Sequence, residues 1–68
     1  MTERHLKAAQ THDDAALRHE EVARYWDERG DPEHAELERR NVEIERAAAQ
    51  LERDRADFVR RKRAFLPG

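Results

Sequence analysis

Between residues 5 and 26 one seven-residue phrase is written three times and then closed. It reads His5-Leu6-Lys7-Ala8-Ala9-Gln10-Thr11, His12-Asp13-Asp14-Ala15-Ala16-Leu17-Arg18, His19-Glu20-Glu21-Val22-Ala23-Arg24-Tyr25, and then Trp26. Seven residues make two helical turns, so equivalent positions stack into stripes. The second half of the chain keeps the same period: Leu37, Ile44, Leu51, Phe58 and Phe65 fall seven apart. Three of these open near-identical phrases, Leu37-Glu38-Arg39, Ile44-Glu45-Arg46 and Leu51-Glu52-Arg53. A pattern of this kind predicts long helices packed along their length, as in a coiled coil.

The two series are separated by Gly30-Asp31-Pro32. Glycine supplies the left-handed residue that ends a helix, Asp31 can cap the free amides of the next one, and proline suits its first position. The spacing predicts a helix over 3–29, a turn at 30–31 and a helix over 32–65. Thr2 is the expected first cap, and Thr11 with Asp13 and Asp14 offers a later start should the first turns fray. So short a link folds long helices back antiparallel. The expected fold is therefore all-α, one antiparallel two-helix hairpin over residues 1–68.

Around this corner, Val22-Ala23-x-x-Trp26-x-x-x-Gly30-Asp31-x-x-x-Ala35 resembles the turn between the two helices of a tetratricopeptide repeat. The resemblance covers about fourteen residues and implies an antiparallel helix pair sharing the turn chemistry. The repeat's helices are only about half as long as these, and a single repeat does not fold alone.

Folding the chain at residue 30 sets small residues against large ones. Trp26 falls near Leu37, His19 near Asn41, Ala15 and Ala16 near Ile44, His12 near Ala48, Ala8 and Ala9 near Leu51, and His5 near Arg55. The expected hairpin seam is thus Ala8, His12, Ala15, His19, Val22, Trp26, Leu37, Asn41, Ile44, Ala48 and Leu51. Leu6 and Leu17 on the first helix and the row containing Val42 and Ala49 on the second lie well round from that seam. Together with Phe58 and Phe65 they are expected to join copies of the chain.

Composition gives a reason to expect such joining. Sixty-eight residues bury too small a fraction of their surface to be comfortably stable alone. There is no Cys to staple them through disulfides or a thiolate zinc site. Charged residues are 44% of the chain, which raises disorder as an alternative, but the sustained heptad argues against it. The expected assembly is a homodimer, two hairpins forming a four-helix bundle. The chain has no apolar run that could span a bilayer, and a cytoplasmic location is the default expectation.

Histidine is the residue type that invites a chemical reading. His5, His12 and His19 stand about 10.5 Å apart along one helix, too far for two to share a metal, although an intersubunit site could recruit them. Chelation along one helix needs spacings of three or four, which these three histidines lack. Asp31-x-x-His34-x-x-x-Glu38 has metal-like spacing, with Asp31 better used as a cap. No cofactor is expected, and a two-helix chain without Cys or Ser offers no evident catalytic pocket. The run Arg60-Arg61-Lys62-Arg63 gives residues 58–68 four basic groups and no acid, while residues 1–57 carry ten basic and sixteen acidic groups. Cations suit a helix C-terminus, and a nucleic acid or other phosphate is the alternative partner.

The sequence therefore predicts a non-enzymatic, homo-oligomerising hairpin that acts as an assembly or adaptor element, with a second protein as a further partner. A nucleic-acid accessory role through residues 60–63 is one alternative. A metal- or pH-responsive bundle built on the histidine stripe is another, in which rings kept neutral by burial would loosen the assembly as the pH falls from about 6.5 to 5.

Overall fold

Nothing in the sequence interrupts a helix before Gly30, because both halves are rich in Ala, Arg, Glu and Leu and keep Gly and Pro out of their interiors. The computed structural model describes residues 2–65, with side chains for residues 2–63. They form two helices, α1 (Thr2–Glu28) and α2 (Pro32–Phe65), packed against each other as an antiparallel hairpin. Helix α1 runs without a break through Thr11, whose hydroxyl donates back to the Lys7 carbonyl at 3.1 Å. The alternative start at that residue is therefore not used.

The corner is built as the Gly-Asp-Pro signature requires. Gly30 takes φ of +73°, its amide donates to the Asp27 carbonyl at 3.1 Å, and the Asp31 amide donates to the Trp26 carbonyl at 2.9 Å. These two bonds close the end of α1, and the left-handed residue between them is the reason for glycine. Asp31 then caps α2, accepting the His34 backbone amide at 3.0 Å and contacting His34 Nδ1 at 2.6 Å. Those two bonds from His34, the side-chain one first, hold the Asp31 carboxyl below its ordinary value. Trp26 stacks on the His34 ring at 4.3 Å between centroids and so closes the corner against the first turn of α2.

The seam between the helices is made almost entirely of alanine. Ala9, Ala16 and Ala23 of α1 and Ala35, Val42, Ala49 and Ala56 of α2 are the buried residues, each at most 5% exposed. Among the described residues no large side chain is fully enclosed. This row differs from the expected seam, and the correction is a rotation of both helices. Ala8, His12, Ala15, His19, Trp26 and Ala48 lie half-buried at its margins, while Val22, Leu37, Asn41, Ile44 and Leu51 are exposed. Val42 and Ala49, expected between copies, are inside the hairpin.

Two ladders of side chains explain why the small residues face inward. On one edge His5, His12 and His19 contact Glu52, Glu45 and Glu38 through Nδ1, each at 2.6 Å. On the other, Arg53, Arg46 and Arg39 pair with Asp13, Glu20 and Asp27. Both ladders keep the seven-residue step on both helices. Their members flank the alanine row on both helices, so all six pairs close together only when that row faces inward. Turning Leu37, Ile44 and Leu51 inward would carry Glu38, Glu45, Glu52 and Arg39, Arg46, Arg53 away from their partners on α1. His19 accordingly meets Glu38 rather than Asn41, three residues earlier than expected, and His12 and His5 shift by the same step.

Candidate interaction surface

The repeated Leu/Ile-Glu-Arg phrase of α2 divides its three residues among three directions. Glu38, Glu45 and Glu52 serve the histidine ladder, and Arg39, Arg46 and Arg53 serve the arginine ladder. The residue that opens each phrase lies two positions past the buried row, roughly 160° round the helix from it. Leu37, Ile44, Leu51 and Phe58 therefore form an outward row about 31 Å long. They are 53%, 63%, 49% and 53% exposed, a periodic apolar stripe directed away from α1. Ala47 and Ala48 flank its centre, so the backbone there is open to close approach by another helix.

Helix α1 presents a different outer surface. Lys7, Thr11, Asp14, Arg18 and Glu21 are exposed along its back. Leu6 and Leu17, expected to join copies, are exposed but isolated: the residues seven away are Asp13 for Leu6, and Gln10 and Arg24 for Leu17. Near the corner, Val22, Tyr25 and Trp26 line a shallow hollow with Glu21, all from α1. The Arg29 guanidinium lies over the Tyr25 ring, 3.7 Å from its centroid. Of the residues expected between copies, Phe58 belongs to the outward row, and the Phe65 side chain lies outside the described residues.

The three seam histidines each have a carboxylate partner on the opposite helix, which changes their role. They are 28% to 37% exposed at the side chain, and the partner glutamates 14% to 25%. Each ring therefore sits at the edge of the seam against a carboxylate of the opposite helix rather than among apolar side chains. Glu52, the most enclosed of the glutamates, also accepts from Arg55 at 2.7 Å. The His5 hydrogen bond, and secondarily the Arg55 contacts, hold the Glu52 carboxyl below its ordinary value against the opposing effect of burial. Among the described residues no group of three or more His, Cys, Asp or Glu is arranged to hold a metal ion.

The basic run near the end of α2 is partly engaged within its own helix. Arg61 pairs with Asp57 at 3.2 Å, Arg60 approaches the same carboxylate at 3.7 Å, and the Lys62 ammonium lies over the Phe58 ring at 5.6 Å. Asp57 lies just before the run, so its charge opposes the local excess that the stretch 58–68 shows by itself. Arg63 is exposed. Among the described residues no helix is long and apolar enough to cross a membrane. No protein-family model, curated protein or solved structure matches the chain.

Proposed function

We propose that this chain is a non-enzymatic assembly element, a helical hairpin that joins to copies of itself along the outward row of α2 and so serves as an adaptor or spacer. The observation that carries the reading is that row: Leu37, Ile44, Leu51 and Phe58 at strict seven-residue intervals, each about half exposed. An isolated exposed leucine needs no explanation, but a periodic line of four is the pattern of a helix that packs on both sides.

The shape of the hairpin supports the same reading. Its radius of gyration is 16.5 Å, against about 11 Å for a compact domain of this length. Its accessible surface is 5471 Å² for a mass of 8.1 kDa, where a compact monomer of that mass would expose about 4,500 Å². The excess is comparable with the roughly 800 Å² each partner contributes to a standard protein interface. Because the outward row and the buried row lie on nearly opposite sides of α2, two hairpins joined along it form a four-helix layer. The α2 helices are central in that arrangement and the polar backs of α1 are outermost.

Sedimentation equilibrium at tens of micromolar tests this directly. The expected result is twice the chain mass, falling towards one chain mass on dilution. A folded chain that stays monomeric throughout that range contradicts the proposal.

A further inference from the structure

We infer that the two copies meet antiparallel along α2, in a register set by the charged row Glu33, Arg40, Ala47, Asp54 and Arg61; the inference rests on the self-association proposed above. The seam between α1 and α2 sets the pattern. There the buried α2 row is Ala35, Val42 and Ala49, and the residues three and four positions further on make the two ladders. An antiparallel seam of the same hand built on Leu37, Ile44 and Leu51 would be edged in the same way. Its edges would be Arg40, Ala47, Asp54 and Arg61, with Glu33 at the near end, and Asn41, Ala48, Arg55 and Lys62.

The first of these edges is self-complementary only when reversed. Read from Glu33 to Arg61 its charges run negative, positive, neutral, negative, positive. Turned end for end about Ala47, Glu33 meets Arg61 of the second copy and Arg40 meets Asp54 of the second copy, and two-fold symmetry repeats both pairs. In the register that makes these pairs, the other edge sets Asn41 opposite Lys62 and Ala48 opposite Arg55, so no basic residue faces another. The apolar row closes between the edges: Leu37 packs near Phe58 of the second copy, Ile44 between its Leu51 and Phe58, and Leu51 near its own symmetry mate.

Three further observations agree with this register. Among the described residues Glu33 and Arg40 make no ion pair within the chain, so both are available. The two-fold falls near the middle of α2, so the 34-residue helices overlap almost end to end. Helix α1 has only 27 residues, and the far end of α2 that runs beyond it is covered by the start of the second copy's α2. The basic run thereby gains a second acidic partner, since Arg61, which pairs with Asp57 within the chain, lands beside Glu33 of the second copy. A parallel pair would instead set Arg61 beside Arg55 and Lys62 of the second copy.

Because the chain contains no cysteine, introduced thiols report the register cleanly. Arg40→Cys and Asp54→Cys are both on exposed positions and leave the hairpin seam untouched. Under mild oxidation an equimolar mixture of the two variants is expected to cross-link at least tenfold faster than either alone. As a second measurement, Arg40→Asp and Asp54→Arg are each expected to weaken self-association about tenfold, and mixing them to restore it. A dimer in which the mixture cross-links no faster than the single variants overturns the register and leaves the proposed function standing. A monomeric wild-type chain overturns both.

Discussion

The two rows of α2 invert the usual distribution of side-chain size. Facing α1, Ala35, Val42, Ala49 and Ala56 are 0%, 5%, 0% and 0% exposed, while Leu37, Ile44, Leu51 and Phe58 on the other side are about half exposed. A buried methyl returns about 0.8 kcal/mol, whereas a fully buried leucine or phenylalanine returns about 1.5–3 kcal/mol. The side chains with the most hydrophobic free energy to give are the ones the hairpin leaves partly wet. What the inward row contributes is proximity: it lets six cross-helix pairs close, three on each edge. The outward row contributes apolar area that, among the described residues, the hairpin leaves about half exposed. One row therefore specifies the hairpin, and the other is the surface along which we propose that copies join.

The strongest way to break this contrast is to put a large residue on the inward row. Ala49→Leu inserts a branched side chain where nothing is exposed, so the packed seam must strain or shift to accept it. A loss of about 3 kcal/mol of stability is expected in thermal or urea unfolding followed by circular dichroism. A variant as stable as the parent chain would show that the alanine seam is not under close-packing constraint.

A smaller effect comes from the edge that flanks the inward row. Glu52 has its folded-state value lowered, mainly by the His5 hydrogen bond. A group of that kind stabilises the fold at pH above its unfolded value and loses the contribution as the pH falls through the folded one. Unfolding measured from pH 7 downward should therefore show a loss of stability beginning below about pH 4.3. Glu52→Gln should reduce that acid-dependent part, and an unchanged acid response in the variant would remove this ladder rung as its source.

The hairpin was legible in the sequence because its signals are local: the heptad period gave two helices, and Gly30-Asp31-Pro32 gave the reversal. Which stripe faced inward was not legible from size alone. Leu37, Ile44 and Leu51 look like a core by hydrophobicity, and they placed the expected seam on the wrong side of α2. The signal that identifies the seam is also present in the chain, in the pairing of two series. His5, His12 and His19 recur in step with Glu52, Glu45 and Glu38, and Asp13, Glu20 and Asp27 with Arg53, Arg46 and Arg39. Two complementary ladders admit only the alanine row between them, a constraint that reading each helix for its own apolar face does not reveal.

The most direct test of the division between the rows is the concentration dependence of melting, compared between the parent chain and Ile44→Glu. That residue is 63% exposed, so the change should leave helix content at low concentration close to that of the parent chain. For the parent chain the melting temperature should rise by several degrees over a hundredfold increase in concentration, because association of folded copies stabilises them by mass action. For Ile44→Glu it should not move. A parent melting temperature independent of concentration would contradict the account, as would an Ile44→Glu chain that no longer folds.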